Sequence, residues 1–258
     1  MLILKMKKHL KWVCLLIAVA IVLFLTAASV TEKFSQDETI YILTRTSNRP
    51  KFFKECRKSI KEQTYKNWKH VVSADDEDSY KYAKDLGDKN TEIVKVQKGK
   101  KTKEMNCPYN LYNNKLLEKV PEGSWVIFLD DDSKFINKTS LENLNKTIIE
   151  SEKNDKNFII SKAEGNVENK PKCWGMSAED IIKKMDDPKQ NWHFAKIDTC
   201  HMAFKKTKDT KPWSYECAGD AHFFYDNLKT KKYKIAYNEK PIIAGNYIRY
   251  GWGGLRDI

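Results

Sequence analysis

Short apolar segments alternate with amphipathic ones over residues 39–130, and this alternation constrains the fold more than any other feature of the chain. The apolar segments predict buried β-strands at 39–46, 68–76, 91–97 and 124–130. The segments between them predict helices at 49–63, 78–87 and 108–120. Strands and helices that alternate at this spacing form βαβ units. The sequence therefore predicts an α/β fold with a mostly parallel central sheet flanked by helices.

The second half of the chain is less regular. Helices are predicted at 141–153 and 219–229, and strands at 157–165 and 197–206. No internal repeat and no low-complexity linker interrupts the sequence. We therefore expect one domain over 39–258, in which the second half is built onto the edge of the first.

The N-terminus contains a long apolar segment. Residues 12–30 carry no charge over 19 positions, and four lysines precede them within the basic tail 1–11. A helix of this length spans a bilayer, and the lysines favour a cytosolic tail. A cleavable signal peptide is the alternative, because small residues at 26–29 offer a cleavage point. We expect an uncleaved signal anchor, a linker at 31–38, and a single-pass type II membrane protein with a luminal or extracytoplasmic domain, in the Golgi or ER if the host is eukaryotic.

Charge and cysteine content narrow the function. The chain has 47 Lys and Arg against 35 Asp and Glu, a formal net charge of +12. The lysines are scattered along the chain and no nucleic-acid-binding motif accompanies them, so we expect a solvated lysine-rich surface and no nucleic-acid partner. None of the six cysteines forms a Cys-x-x-Cys pair, which argues against zinc. One or two disulfides are allowed, with their connectivity open.

Three consecutive aspartates, Asp130, Asp131 and Asp132, end the fourth predicted strand. Neighbouring carboxylates repel one another unless a cation or a proton lies between them. One interpretation is an acidic loop that caps the next helix. The other is a site for a divalent cation, which prefers oxygen ligands. Since ligands of parallel sheets bind at the carboxyl ends of the strands, the second interpretation predicts a cleft there.

The opening of the domain resembles a known family. The stretch "ILTRTSNRPKFFKECRKSIKEQTYKNWKHVVSADDEDS", residues 42–79, is similar to the start of a family 2-like glycosyltransferase of GT-A fold. The shared features are a strand that ends in Thr-Arg, an Arg-Pro that starts a helix, and a second strand that ends in an acidic turn. "VIFLDDDSKF", residues 126–135, then resembles the family's Asp-x-Asp segment at the expected distance. The resemblance covers about 39–136 and implies a nucleotide-diphospho-sugar transferase fold.

The resemblance also implies roles for individual residues. Asp132 would coordinate a divalent cation, Mn²⁺ or Mg²⁺, and Asp130 would contact the ribose or reach the cation through water. Asp75 would bind the nucleoside base. The same nucleotide-sugar pocket would include Thr44, Arg45 and Asp131, the last of which has a structural cap as its alternative role.

An inverting transferase also needs a base that deprotonates the acceptor hydroxyl. The family takes it from an acidic residue at a helix start late in the domain, and the stretch 214–228 fits that description. Asp220 is the candidate and Glu216 the runner-up, although Asp220 has helix capping as its alternative role. Asp198, with His201 beside it, is a candidate for orienting the acceptor, and a satisfied core histidine is the alternative for His201.

These observations together predict a metal-dependent glycosyltransferase. It would move a sugar from a nucleotide-sugar donor, expected to be UDP-linked, to a glycan, protein or lipid acceptor, with inversion. A nucleotidyltransferase is the rival enzyme, but it needs a glycine-rich phosphate loop, and "TRTSNRP" (44–50) has no glycine. A catalytically inactive, membrane-tethered basic binding module of the same fold is the rival without chemistry.

Overall fold

A computed structural model of the chain describes residues 17–21, 38–165, 167–187 and 196–245. The chain divides into two units, Met1–Asp37 and Glu38–Ile258. Residues 17–21 are the described part of the first unit, and they are helical. The second unit contains the sheets, the longer helices and the candidate site.

The predicted membrane anchor is corrected. Within the described residues, no helix has both the length and the apolar character needed to cross a membrane. Of the predicted anchor at 12–30, residues 17–21 are described. The rest of the predicted anchor at 12–30 lies outside the described residues. The expected single-pass, type II location is therefore withdrawn.

Two sheets form the framework of the second unit. The main sheet has the strand order β3-β2-β1-β4-β8-β6-β9, and a small sheet has the order β5-β10-β7. The strands are Ile40–Thr46 (β1), Trp68–Ala74 (β2), Thr91–Lys95 (β3), Trp125–Phe128 (β4), Lys134–Phe135 (β5), Phe158–Ser161 (β6), Glu164–Gly165 (β7), Met202–Lys205 (β8), Ile235–Asn238 (β9) and Ile243–Gly245 (β10). Strands β3, β2, β1 and β4 are parallel, as is the β6–β9 pair. Strand β8 runs antiparallel to both of its neighbours.

Helices cover both faces of the main sheet. They are Pro50–Lys61 (α1), Glu77–Leu86 (α2), Asn110–Glu118 (α3), Ser140–Lys153 (α4), Ala178–Met185 (α5) and Gly219–Lys229 (α6). The apolar clusters place α3, α5 and α6 on one face and α1 and α4 on the other. Side chains of β4 alternate between the two clusters, with Phe128 in the first and Ile127 in the second. A central strand that is buried on both faces explains the continuous apolar run that predicted it.

The predictions of secondary structure are most accurate where a single segment shows a clear hydrophobic pattern. All four strands and three helices predicted over 39–130 are confirmed within a few residues, as are the helices at 141–153 and 219–229. The predicted strand 197–206 is shorter, because a 3₁₀ turn at Thr199–His201 precedes β8. The N–H of Asp198 donates to Nδ1 of His201 at 3.0 Å, and such local bonds compete with strand pairing.

A disulfide joins Cys107 to Cys217, which are 110 residues apart in sequence. It confirms that at least one of the allowed disulfides forms. Cys56, Cys173 and Cys200 are buried free thiols. The bridge links the segment before α3 to the segment before α6, two elements that the chain forms far apart.

Replacing Cys107 and Cys217 together by serine is expected to lower the free energy of unfolding by about 2–5 kcal/mol, because a cross-link over a long loop restricts the unfolded chain. Urea unfolding with and without a reductant measures the effect. Reductant should destabilise the natural chain and leave the double variant unchanged. Equal stability of the two chains under oxidising conditions would contradict the prediction.

Candidate functional site

The candidate site lies where the order of the main sheet reverses. The chain proceeds from β1 outward through β2 to β3, whereas β4 returns to the opposite side of β1. Loops that leave the carboxyl ends of β1 and β4 therefore diverge and open a crevice, the usual ligand position in such sheets. A cavity of about 410 Å³ lies there. Its charged lining consists of Arg45, Arg49, Asp130, Asp131, Asp132 and Asp220.

Two arginines bind the aspartate triplet. Nε of Arg45 lies 3.3 Å from Oδ1 of Asp130. Nη1 of Arg49 lies 2.9 Å from Oδ1 of Asp131 and 3.2 Å from Oδ2 of Asp132. Arg45 also lies over the ring of Tyr109, with 4.8 Å from its guanidinium carbon to the ring centroid. The three carboxylates are thus partly neutralised by guanidinium groups from the β1–α1 segment.

The charge balance of the cleft suits a divalent cation. Four aspartates and two arginines line it, which leaves an excess of two carboxylates when all are ionised. Within the described ranges, no group of three or more His, Cys, Asp and Glu side chains is arranged to hold a metal by itself. A cation here would therefore use one or two carboxylates and complete its shell with water and ligand oxygens, as Mg²⁺ commonly does beside phosphates. The residues that fit this role are Asp130 and Asp132.

Asp131 is the most constrained member of the triplet. Its side chain is buried, Oδ2 accepts from Thr46 Oγ1 at 2.8 Å, and Oδ1 accepts from Arg49. Burial raises the pKa of Asp131 to about 7, against the opposing effect of Arg49, and the neighbouring Asp132 adds to the rise. Both oxygens are engaged by the protein and the side chain is only 5% exposed, against 22% for Asp130, which favours the structural role of Asp131 over direct ligand binding.

The raised pKa of Asp131 predicts a pH-dependent stability. In the unfolded chain this carboxyl loses its proton near pH 4, whereas the folded protein keeps the proton up to about pH 7. The folded state thus binds more protons between these values, and the free energy of unfolding falls as pH rises, by up to about 1.4 kcal/mol per pH unit. Urea unfolding at pH 4.5–7.5 in the presence of a chelator measures the slope, and Asp131→Asn should flatten it. An unchanged slope in this variant would contradict the assignment.

Asp220 projects from the first turn of α6 and lines the same cleft. Burial and the nearby Asp198 and Asp130 raise the pKa of Asp220 well above its ordinary value, and Arg45 opposes the rise. The N-cap of α6 is Ala218, so Asp220 does not occupy the capping position that was its alternative role. A half-buried carboxyl with a raised pKa, facing a cleft, is suited to accept a proton.

Thr199 links the two sides of the cleft. Its hydroxyl lies 3.0 Å from Oδ2 of Asp130, and the 3₁₀ turn that carries it precedes β8. Because β8 is antiparallel to β4, its first residues reach the edge where β4 ends. The sequence analysis did not identify Thr199, since its proximity depends on the strand direction.

Thr44 does not line the cleft, so the structure places it outside the predicted nucleotide-sugar pocket. Its side chain is fully buried, and Oγ1 donates to the carbonyl of Leu129 at 2.7 Å. Nε2 of His70 lies 2.9 Å from Oγ1 of Thr44. On the other side of the ring, Nη1 of Arg57 lies 3.3 Å from Nδ1 of His70. Burial and then Arg57 lower the pKa of His70 well below its ordinary value, so the ring is neutral and Nε2 is the donor. This buried chain holds the turn that precedes Asp130.

Asp75 lies beside the cleft at the end of β2. Its Oδ2 accepts from the hydroxyl of Tyr112 at 3.1 Å, and Tyr112 lines the cleft. Oδ1 of Asp75 is buried and has no hydrogen-bond partner among the described residues. An acceptor in this state suits a ligand N–H group.

Several residues of the cleft and its edge were not predicted from the sequence. Among them are Arg49, Tyr109, Tyr112 and Thr199. A helix that follows a parallel strand begins at the carboxyl edge of the sheet, so the start of α3 could have indicated the two tyrosines. Glu216 lies outside the cleft lining and pairs with Nε2 of His222 at 3.3 Å.

His201 is a core residue, in line with the alternative role considered for it. Its Nδ1 accepts from the N–H of Asp198, and Nε2 therefore carries the proton and donates to the carbonyl of Glu168 at 2.8 Å. Burial lowers the pKa of His201. Both ring nitrogens are satisfied within the protein.

Comparison with known proteins supports the fold. No family model and no curated protein sequence matches the chain. Among solved structures, TarS 1–349 from S. aureus matches with a TM-score of 0.56 and 17% identity over 80% of this chain and 60% of that one. The mannosyltransferase PcManGT from Pyrobaculum calidifontis, in complex with GDP-Man and Mn²⁺, matches with a TM-score of 0.57 and 11% identity over 85% of this chain and 60% of that one.

A third structure has the same architecture. Glucosyl-3-phosphoglycerate synthase from Mycobacterium tuberculosis, in complex with Mn²⁺, UDP and glucosyl-3-phosphoglycerate, matches with a TM-score of 0.53 and 13% identity over 83% of this chain and 74% of that one. The chain thus spans about 60% of the length of the first two neighbours. The likeness to these three structures confirms the GT-A fold implied by the resemblance.

Proposed function

We propose that this chain is a glycosyltransferase that moves a sugar from a nucleotide-sugar donor to a glycan, protein or lipid acceptor. One observation carries the proposal: a GT-A fold places four carboxylates and two guanidinium groups around a single cleft at the switch point of its sheet. When its carboxylates are ionised, that set repels a diphosphate, and a cation bound between them would offset the repulsion.

A divalent cation, Mn²⁺ or Mg²⁺, would be held by Asp132 and Asp130. When bound, it would supply positive charge to the departing nucleoside diphosphate. Arg45 and Arg49 lie beside these carboxylates and present guanidinium N–H groups at the same position. Guanidinium groups bind phosphate oxygens in a fixed geometry, so both arginines are suited to orient the donor. Solved neighbours of the same fold contain Mn²⁺ with GDP-Man or with UDP.

The nucleoside would lie toward Asp75 and Tyr112. Oδ1 of Asp75 is a buried acceptor, and a nucleobase N–H is a donor of matching size. Tyr112, whose hydroxyl binds Asp75, lines the wall of the cleft next to it. We expect a UDP-linked donor, and TarS has been solved in complex with UDP-GlcNAc.

Asp220 would act as the base that accepts the proton of the acceptor hydroxyl while its oxygen attacks the anomeric carbon. A direct attack of this kind inverts the anomeric configuration. The raised pKa of Asp220 strengthens it as a base near neutral pH. The neighbouring Asp198 and Thr199 would flank the acceptor, because the Thr199 hydroxyl lies 3.0 Å from both Asp130 Oδ2 and Asp198 Oδ1 and Asp198 raises the pKa of Asp220.

Calorimetric titration of the full chain with UDP, GDP and ADP, each with and without Mn²⁺, tests the proposal. Mn²⁺-dependent binding of one nucleotide, followed by hydrolysis of the corresponding nucleotide sugar that stops on chelation, is the expected result. A folded chain that binds none of the three nucleotides would overturn it. Saturable binding of heparin without turnover would then favour a basic binding module of the same fold.

A further inference from the structure

The path of one irregular segment decides where Asp220 lies. Residues 213–218 form neither helix nor strand and lead directly into α6. The last of them, Ala218, has a left-handed backbone with φ of 63° and ψ of 39°. A non-glycine residue keeps this conformation only when its surroundings impose it. The contacts that impose it should therefore be visible on the flanking residues.

Several tethers reach this segment from the start of α3. Cys107 forms the disulfide with Cys217, and its N–H donates to the carbonyl of Tyr215 at 2.8 Å. Asn114 bonds the backbone of Trp213 twice, donating to its carbonyl at 3.0 Å and accepting from its N–H at 2.7 Å. Cys107, just before α3, and Asn114, within α3, therefore hold residues 213–218 in place.

Asn110 makes the contacts nearest to Asp220. Its side chain is buried, and Nδ2 donates to the carbonyls of Ser214 at 2.6 Å and Glu216 at 3.0 Å. An amide NH₂ has two hydrogens, and both are used. A Cβ built at Gly219 would lie 2.6 Å from Nδ2 and 2.9 Å from Oδ1 of Asn110. The first residue of α6 therefore rests directly on the Asn110 amide, and only a glycine allows this approach.

We propose that Asn110 is a positioning residue that sets where α6 presents the Asp220 carboxylate to the cleft. The Asn110 amide binds the carbonyls of Ser214 and Glu216 and packs against Gly219, the first residue of α6. The start of α6 therefore cannot shift along the helix axis in either direction. The catalytic consequence rests on the proposed role of Asp220 as the base, whereas the positioning itself does not.

The chemistry of the site requires an amide at residue 110. An aspartate of the same shape would direct carboxylate oxygens at the two carbonyls of Ser214 and Glu216, which are acceptors as well. Asn110→Asp should therefore push the segment away without changing the volume of the side chain. Asn114→Asp makes the same change one turn later on α3 and keeps one bond, from the N–H of Trp213. It is the matched control.

Amide hydrogen exchange measured by NMR tests the positioning. In Asn110→Asp, the amides of Ala221 and His222, which both donate to the carbonyl of Ala218, are expected to exchange at least about tenfold faster, because this acceptor moves, whereas those of β1 and β2 keep their rates. In Asn114→Asp, which keeps the bond from the N–H of Trp213 and does not touch Ser214, Glu216 or Gly219, the acceleration of these amides should be clearly smaller than in Asn110→Asp. Unchanged exchange at these two amides, or equal acceleration throughout the domain, would overturn the proposal.

Kinetics separate this inference from the proposed function. With a transferring acceptor, Asn110→Asp should lower kcat about 10- to 100-fold and leave the calorimetric Kd for the nucleoside diphosphate unchanged. If exchange accelerates locally but kcat does not fall, Asp220 is placed as proposed and is not the base. If Asn110→Asp does not fold, Gly219→Ala disturbs the same contact from the other side, and the same local pattern is expected. Normal local exchange in a folded Gly219→Ala variant would also overturn the proposal.

Discussion

Asp220→Asn is expected to lower the rate of sugar transfer by about 10²- to 10⁴-fold, the usual contribution of a general base. Asparagine keeps the size and the hydrogen-bonding oxygen of the side chain but cannot accept a proton at neutral pH. The affinity for the nucleoside diphosphate should change by less than about threefold, because Asp220 belongs to the acceptor side of the cleft. Single-turnover transfer assays and calorimetric titration measure the two quantities.

The pH dependence of transfer provides a second signature of Asp220. Burial and the neighbouring carboxylates raise its pKa, so the group is protonated, and inactive as a base, below that raised value. The transfer rate should therefore increase with pH through the pKa of Asp220 and level off above it, and this titration should disappear in Asp220→Asn. Glu216→Gln is the control, since Glu216 lies outside the cleft lining and is exposed. If Glu216→Gln abolished transfer and Asp220→Asn did not, the assignment of the base would be reversed.

Asp132→Ala is expected to weaken Mn²⁺-dependent binding of the nucleoside diphosphate about 100-fold or more. The variant removes a largely buried negative charge from the place where the cation and the diphosphate would meet, and exposed solvent cannot replace it there. Binding measured without Mn²⁺ should change much less. Calorimetry with and without the metal gives both values from one preparation.

Asp78→Ala is the matched control for this second prediction. Asp78 belongs to the first turn of α2, is exposed, and follows another strand of the same parallel set. Asp78→Ala and Asp132→Ala each remove one carboxylate, so they change the net charge of the chain equally. If Asp78→Ala weakened Mn²⁺-dependent binding as much as Asp132→Ala, the effect would come from the overall charge, and the proposed cation site would be wrong.

The first half of the fold could be predicted because each element there carries its own pattern. Strands β1, β2 and β4 are largely buried apolar runs, β3 is a half-buried edge strand, and α1 is an amphipathic helix with Pro50 at its start. The small sheet could not be predicted, since β5 and β7 have two residues each and β10 has three. Elements of that size have no period that a sequence can display. Helix α5 was also missed, in the less regular second half.

The candidate site shows the same division. The acidic triplet stands out in a lysine-rich chain, and its position after a buried strand placed it at the correct sheet edge. What the sequence could not reveal is that Arg49 bridges Asp131 and Asp132, or that Thr44 faces inward to Leu129. Both contacts depend on the directions in which side chains at the end of β1 and just after it point. Thr199 reaches Asp130 only because a distant strand pairs antiparallel with β4.

Strand β8 gives the protein a further property through its place in the sheet. It lies between β4 and β6, and the turn before it brings Thr199 to Asp130. Without β8, the edge of β4 would be unpaired, the β6–β9 pair would be detached, and the cleft would lack its second side. Completion of the main sheet and completion of the cleft are therefore one cooperative event. We expect no appreciable population of molecules with a closed sheet and a half-built cleft, so denaturant should abolish nucleotide binding and β-structure at the same midpoint.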